Sequence, residues 1–249
     1  MTGSDQDARV DELRAGQFRT TRWSMVQAAG RGDTQSSANA LAELCESYWY
    51  PLYTYLRQRG NNASEAADLT QGFFARLLDK SDLAAADREK GRFRAFMLTA
   101  LKHFVANEVD RERAEKRGGT RTILSLDVEA AEGRFAIEPC DERTPEDVFS
   151  RNWAMVTMER AMDRVREDYQ RADRMELFDR LSRCMVAAQD APYRQLADEL
   201  DMNESAFKVA VHRIRKRFRE CQRREVAETL SDANEVEEEL RDLFEALGS

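Results

Sequence analysis

The stretch that decides the fold is Pro192–Arg219, with the sequence PYRQLADELDMNESAFKVAVHRIRKRFR. Its apolar residues recur every three to four positions in two runs, and this spacing predicts two amphipathic helices. The first run consists of Tyr193, Leu196, Ala197 and Leu200, and the second of Phe207, Val211, Ile214 and Phe218. The period breaks at 201–203, where Asn203 is a residue type that caps helix N-termini. The stretch therefore predicts a short helix, a tight turn and a longer second helix.

The polar face of the second predicted helix is basic. Between Glu204 and Arg224 the chain carries eight Lys or Arg against two acids. A short helix followed by a tight turn and a basic helix is the arrangement that places side chains in the major groove of DNA. We therefore expect a helix-turn-helix that binds nucleic acid. The alternative, an ordinary helical hairpin with a solvated charged face, does not require this excess of basic residues.

The composition of the 249-residue chain favours an all-α protein. Charged residues make up 35% of it, and it has only 4 Pro and 11 Gly, fewer turn-forming residues than an all-β fold needs. The net charge of −8 hides an asymmetry, because Glu225–Ser249 holds nine acids and one Arg. A second basic segment, Arg88–Arg117, holds nine Lys or Arg against five acids. The chain therefore has two basic segments and an acidic end.

The cysteines and histidines are too few and too scattered for a metal site. Four separate cysteines form no CxxC pair, and only His103 and His212 could add a nitrogen ligand. We expect reduced thiols, no cofactor and, without a nucleophile motif, no catalytic residue. No apolar run approaches the roughly 18 residues of a membrane span, and no signal peptide is evident. The expectation is a cytoplasmic protein with no membrane partner.

Apolar periods and turn-forming residues divide the chain into segments. We expect an all-α fold of two small helical domains on a linker, the second containing the helix-turn-helix. The predicted segments are a flexible leader (1–20), a first helical domain (21–119), a linker (120–143), a second helical domain (144–230) and an acidic helix (231–249). The predicted helices of the first domain begin at Ala38 and cover Ala63–Leu78 and Arg92–Arg113, and those of the second begin at Thr144 and cover Ala172–Cys184.

Three segments of the chain carry a resemblance to a known family. They are DLTQGFFARLL (Asp68–Leu78), GRFRAFMLTALKHFVANEVDRERAEKRGG (Gly91–Gly119) and ESAFKVAVHRIRKRFRE (Glu204–Glu220). In this order they resemble the polymerase-clamp-binding part of region 2, the promoter-reading helix that follows it and the recognition helix of region 4 in extracytoplasmic-function (ECF) sigma factors of the sigma-70 family. The resemblance covers roughly 21–230. The chain departs from the family at Gly72, where many relatives carry an acid, at Asp201, often a Gly, and in its acidic extension.

The resemblance implies a non-enzymatic initiation factor that binds core RNA polymerase and promoter DNA. It leaves open whether an anti-sigma factor is a further partner. Polymerase contacts are then expected at Asp68, Leu69, Gln71, Phe74 and Arg76, with Phe74 as an exposed anchor. Contacts to the upstream, minus-thirty-five element are expected at Ser205, Lys208, Val209, His212, Arg213, Lys216 and Arg219, with Arg215 at phosphates. Binding and melting of the downstream, minus-ten element are expected at Arg92, Arg94, Lys102, His103, Asn107, Arg111 and Arg113.

Two other functions share part of this pattern. A stand-alone helix-turn-helix regulator would need neither the clamp segment nor the second basic segment. A nucleic-acid enzyme such as a recombinase would need a Tyr, Ser or acidic catalytic set, which the sequence does not show.

The acidic helix also leaves two interpretations open. Its apolar stripe consists of Val236, Leu240, Leu243 and Leu247. The helix could fold back on the basic face of the helix-turn-helix domain and compete with DNA. Alternatively, the stripe could extend the core of that domain, with the acids in water.

Overall fold

A computed structural model describes residues 34–78, 92–114, 128–137, 143–186, 193–230 and 232–248. These residues form α-helices and a short 3₁₀ helix and contain no strand, which confirms the predicted all-α class. The helices are α1 (Thr34–Gln58), α2 (Ala63–Leu78), α3 (Phe93–Ala114), α4 (Val128–Ile137), α5 (Pro145–Arg171), α6 (Met175–Val186), α7 (Tyr193–Asp198), α8 (Glu204–Ala227) and α9 (Val236–Gly248), with the 3₁₀ helix at Ala233–Glu235. The predicted leader, 1–20, lies outside the described residues.

The chain divides into two compact units whose bounds differ from the predicted domains. The first unit joins Met1–Met155 to Ala227–Ser249, and the second is Val156–Val226. The division falls inside α5 instead of at 143, because the first half of this helix buries Phe149 and Trp153 in the first unit. The acidic helix α9 belongs to the first unit.

Aromatic side chains dominate the core of the first unit. The largest buried side chains from α1, α2, α3 and α5 are Tyr48, Tyr53, Tyr55, Phe74, Phe93, Phe149 and Trp153. Rings from different helices meet edge to face, as Tyr48 and Phe93 do at 5.4 Å between centroids. This packing fixes α2 and α3, the two helices that carry most of the predicted site residues of the first unit.

Helix α4 lies within the segment predicted to be a linker. Its Glu132 accepts hydrogen bonds from Arg57 Nε at 2.7 Å and Nη2 at 3.0 Å, and a third from the Tyr53 hydroxyl. The guanidinium of Arg57 also lies 4.9 Å from the centre of the Phe135 ring. The segment 120–143 is therefore structured in part, since α4 is attached to α1 through polar and cation–π contacts.

Side-chain caps define the starts of α2 and α5. Asn62 Oδ1 accepts from the amide of Glu65 at 3.0 Å, and the Glu65 carboxylate accepts from the amide of Asn62 at 2.9 Å. Thr144 and Asp147 exchange equivalent bonds ahead of α5. These reciprocal bonds satisfy amides that have no partner within the first helical turn. The predicted helix Ala63–Leu78 is confirmed at both ends.

The second unit has its own apolar core beneath α7 and α8. Its buried side chains come from the second half of α5 and from α6, α7 and α8, and they include Val165, Phe178, Leu181, Leu196, Phe207, Val211 and Ile214. Near the end of α8, the buried carboxylate of Glu225 pairs with Arg160 and Arg164 of α5. A buried charge needs such partners because its desolvation is otherwise unfavourable.

Candidate nucleic-acid interface

A tight turn joins α7 to α8. Asp201 adopts a left-handed backbone conformation, with φ of 51°. The amide of Met202 donates to the carbonyl of Ala197 at 3.0 Å, which closes the turn over the end of α7. Asn203 Oδ1 then accepts from the amide of Ala206 at 2.7 Å, so Asn203 caps α8 as the sequence predicts. The turn reverses the chain within five residues, between Asp198 and Glu204.

Buried apolar residues set the orientation of α8 about its axis. Phe207, Val211 and Ile214 are buried at i, i+4 and i+7 and face the core of the second unit. Leu196 and Ala197 of α7 are buried in the same core, and the ring of Tyr193 lies 6.1 Å from that of Phe207. Because these contacts hold one face of α8 inward, the opposite face must point to solvent.

All seven residues predicted to contact the upstream element lie on this exposed face of α8, which we call the α8 basic face. They are Ser205, Lys208, Val209, His212, Arg213, Lys216 and Arg219. Lys208 pairs with Glu204 one turn earlier, at 2.6 Å, and this ammonium lowers the pKa of the Glu204 carboxyl. The side chains of His212, Arg213, Lys216 and Arg219 form no hydrogen bond or ion pair with any other described residue. Four nitrogen-bearing side chains are therefore directed at solvent along about two helical turns.

Two other basic residues of α8 are tied to the protein itself. Arg215 donates from Nη2 to the carbonyl of Cys184 in the last turn of α6, at 2.7 Å. Arg217 pairs with Asp168 of α5, also at 2.7 Å. This bond satisfies a helix-end carbonyl that lacks an intrahelical partner. The expected contact of Arg215 with phosphate stays a prediction.

Phe74 is not the exposed polymerase anchor that the sequence predicts. Its side chain is 0% exposed, and its ring packs 5.6 Å from that of Phe73 in the core of the first unit. The apolar stripe of α2 is wider than a single i, i+4 row, and it therefore includes both neighbouring rings. Of the other predicted contact residues, Asp68 and Arg76 are exposed, while Leu69 and Gln71 are half-buried.

Close packing explains why position 72 of α2 is a glycine. A Cβ at Gly72 would lie 3.1 Å from Cζ of Phe104 on α3, a distance shorter than ordinary van der Waals contact. A longer acidic side chain would displace the Phe104 ring, which is itself nearly buried. The close approach of α3 therefore favours a residue without a side chain at position 72.

The residues predicted to bind the downstream element do not form one open surface. Arg92 and Arg94 pair with carboxylates of α9, and Lys102 pairs with Glu146 of α5 at 2.7 Å. His103 and Asn107 are exposed. The side chains of Arg111 and Arg113 lie outside the described residues.

An open groove runs between α2 and α3 beside the exposed His103 and Asn107. It has a volume of about 420 Å³. Its walls include the rings of Phe73, Phe96 and Phe104, and Arg76 lies on its α2 side. The groove thus combines aromatic surface with hydrogen-bonding groups and a positive charge.

The acidic helix contacts a partner that the sequence did not indicate. Both interpretations placed α9 on the helix-turn-helix domain, whereas its Glu238, Glu239 and Asp242 pair with Arg92 and Arg94 of the first unit. Opposite charge predicted that α9 would meet a basic segment. Two basic segments were available, and only the tertiary structure distinguishes them.

Comparison with known proteins does not assign this site. No protein-family model, no curated protein and no solved structure matches the chain. Within the described ranges, no cluster of His, Cys, Asp or Glu could hold a metal ion. No described helix is long and apolar enough to cross a membrane.

Proposed function

We propose that this protein is a cytoplasmic sigma factor of the ECF type, which binds core RNA polymerase and directs it to specific promoters. The observation that carries the proposal is the α8 basic face, a solvent-directed row of Lys, Arg and His on the second helix of a helix-turn-helix. The resemblance of Asp68–Leu78 and Gly91–Gly119 to sigma region 2 adds the polymerase and the downstream promoter element. These segments distinguish the proposal from a stand-alone regulator.

The first half of the α8 basic face would read bases in the major groove. In a helix-turn-helix the N-terminal turns of the second helix face the base edges. Lys208, His212 and Arg213 carry donors that suit purine acceptors, and the exposed Val209 suits the methyl group of thymine. The next turns, with Lys216 and Arg219, would meet phosphates and hold the register of the helix on the duplex.

The groove beside α3 would receive bases of the opened downstream element. Unstacked bases bind where aromatic side chains offer a stacking surface and nearby cations attract the backbone. The groove supplies the half-buried Phe96 for stacking, and His103 and Asn107 at its edge for hydrogen bonds. This assignment needs no catalytic group, since duplex opening is driven by binding.

The polymerase-binding surface is proposed on the exposed side of α2. Asp68 and Arg76 are exposed two turns apart on this helix, and Gln71 is partly accessible between them. Interface anchors must reach the partner, so the buried Phe74 is excluded from the surface and acts only through the core. The surface is therefore polar, with the half-buried Leu69 as its apolar part.

Run-off transcription tests the proposal directly. Purified protein would be added to bacterial core RNA polymerase on a promoter library, and the transcript start sites would be sequenced. A sigma factor gives start sites that depend on the added protein and share two elements at a fixed spacing. A stand-alone regulator would bind DNA in a mobility-shift assay but would neither co-purify with core polymerase nor create start sites.

The double variant Lys208→Ala, Arg213→Ala provides the internal control. It should lose upstream-dependent transcripts while still binding core polymerase in a pull-down. If transcripts are unchanged in this variant, the α8 basic face is not the promoter reader.

A further inference from the structure

The helix α9 covers two arginines at the start of α3. Arg92 pairs with Glu238 at 2.9 Å, with Glu239 at 2.9 Å and with Asp242. Arg94 pairs with Glu239 at 2.6 Å and with Asp242 at 3.2 Å. Three carboxylates of α9 therefore surround two guanidinium groups that belong to the basic segment of the first unit.

Apolar contacts and backbone bonds hold α9 in this place. Leu240 and Leu243 are buried, and the amide of Phe93 donates to the carbonyl of Thr229 in the segment before α9. Arg151 of α5 donates to the carbonyl of Leu247 at 2.8 Å. Because the apolar stripe supplies the anchoring, the acids on the adjacent face are placed beside Arg92 and Arg94 whatever the salt concentration.

The two arginines differ in their surroundings. The Arg94 side chain is 16% exposed, it pairs with a fully buried Glu239, and its guanidinium lies 5.0 Å from the centre of the Trp153 ring. Arg92 also faces Glu238 and Asp242, whose side chains are 63% and 35% exposed. Exposed ion pairs are weak and are screened by salt, whereas breaking a buried pair leaves an unpaired charge in the interior. Only the pairs of Arg92 with Glu238 and Asp242 are therefore suited to exchange with another anion.

We propose that α9 is an intramolecular competitor of nucleic acid at Arg92, with Glu238 and Asp242 occupying the place of phosphates. A carboxylate and a phosphate present oxygen pairs that the guanidinium fork binds in the same way. DNA that reaches the first unit must then displace Glu238 and Asp242. Helix α9 is then held less tightly, because only the Arg94–Glu239 pair and its apolar contacts remain. The inference rests on the proposed function, because it assumes that the basic segment of the first unit meets DNA.

The test uses the full chain with the α8 basic face silenced by Lys208→Ala, His212→Ala and Arg213→Ala. In this background, Glu238→Gln with Asp242→Asn removes the two exposed acids at Arg92. The matched control, Glu237→Gln with Glu245→Gln, replaces two other exposed acids of α9 and changes the net charge equally. The probe is a fluorescein-labelled single-stranded DNA of mixed sequence, and the readout is its dissociation constant by anisotropy.

We expect Glu238→Gln with Asp242→Asn to bind the probe at least about fivefold more tightly than the control at about 50 mM salt. The advantage should shrink at about 300 mM salt, because the competing ion pairs are screened. Adding Arg92→Ala to the Glu238→Gln, Asp242→Asn variant should remove this advantage in affinity. Hydrogen exchange then reports on α9 directly: in the parent chain, DNA should increase the exchange of amides in 236–248.

The possible results separate this inference from the proposed function. Suppose that the silenced chain binds the probe, that the two double variants have equal dissociation constants, and that DNA does not change amide exchange in 236–248. The competition is then refuted, while the sigma-factor proposal stands. If the unsilenced wild-type chain also fails to bind DNA and to direct transcription, the proposed function fails and the competition fails with it. Equal melting temperatures of the two acid variants would show that any gain in affinity does not arise from unfolding of α9.

Discussion

Asp201 shows how one residue adapts the turn between α7 and α8. A left-handed conformation costs an ordinary L-residue roughly 1–2 kcal/mol, and glycine adopts it freely. Asp tolerates it better than most residues because its short polar side chain bonds locally. The turn keeps the required shape with Asp201, although the family pattern favours glycine at this position.

The first prediction concerns this backbone strain. Asp201→Ala should destabilise the chain by about 1 kcal/mol, because alanine has neither the freedom of glycine nor a side chain suited to the left-handed region. Asp201→Gly should keep or slightly raise stability. Urea unfolding followed by circular dichroism would compare them, with Gln195→Ala at an exposed position of α7 as a control. Equal stability of the Ala and Gly variants would contradict the strain argument.

The second prediction separates base contacts from phosphate contacts along the α8 basic face. Under the proposed function, Arg213→Ala should cost about 1–3 kcal/mol on the preferred promoter and relax the preference at one base position. Lys216→Ala should instead weaken binding to every sequence alike. It should also lower the slope of log K against log salt concentration by about one. Fluorescence titrations on a set of single-base promoter variants would measure both.

Arg183→Ala is the matched control for these variants, because Arg183 is an exposed arginine of α6 in the same unit. It should leave promoter binding unchanged. If Arg183→Ala weakens binding as much as Lys216→Ala, general charge and not the α8 basic face accounts for the affinity.

At the scale of helices, those with a strong apolar period were predictable from the sequence, whereas a helix held by hydrogen bonds and cation–π contacts was not. The helix Ala63–Leu78 follows from its period and from the Asn62–Glu65 capping pair. Helix α4 was missed because polar bonds of Glu132 and a cation–π contact of Phe135 hold it, and these leave little periodicity. The burial of Phe74 was missed because it depends on neighbouring helices. Two adjacent rings on one helix both reach the core only when other helices pack against it from two sides.

The third prediction tests the attachment of α4. Hydrogen bonds from Arg57, and then from Tyr53, lower the pKa of the Glu132 carboxyl. Glu132→Gln should therefore lower the free energy of unfolding at pH 7 by about 1 kcal/mol, a figure reduced for partial exposure. Because the folded pKa is depressed, this stabilisation is present above the unfolded value near 4.3 and is lost as the pH falls through the folded value.

Glu129→Gln on the same helix is the control for that experiment. Glu129 is exposed, and its replacement by Gln removes the same charge as Glu132→Gln without breaking the bonds to Arg57. Unfolding curves at several pH values should show a pH-dependent difference between wild type and Glu132→Gln only. A difference that stays constant down to acid pH would mean that the ionised form of Glu132 contributes nothing.

At the scale of the whole molecule, α9 is part of the first unit although it follows the second unit in the sequence. Leu243 is 1% exposed, while the next residue, Phe244, is 51% exposed. Which unit would receive this buried stripe was not predictable, because amphipathicity shows that a helix needs a partner but not where that partner lies.

The fourth prediction tests this assignment. Leu243→Ala should destabilise the first unit by about 2–4 kcal/mol, because it removes buried methyl groups and leaves a cavity. Phe244→Ala, an exposed neighbour, should change stability by less than about 0.5 kcal/mol. Hydrogen exchange would localise the effect: Leu243→Ala should raise exchange in α3 more than in α8. Equal increases in both helices would show that α9 does not belong to the first unit in particular.

The position of α9 in the chain has a consequence for biosynthesis. A nascent chain leaves the ribosome in order, so α3 is made well before the residues that neutralise Arg94. The second unit is contiguous and can collapse as soon as its own helices emerge, whereas the first must close a loop of roughly 140 residues, which costs entropy before any contact forms. During that interval the arginines at the start of α3 are unmasked. Folding of the first unit should therefore finish last, and stalled chains that end before 236 should be the form most prone to adventitious binding of polyanions.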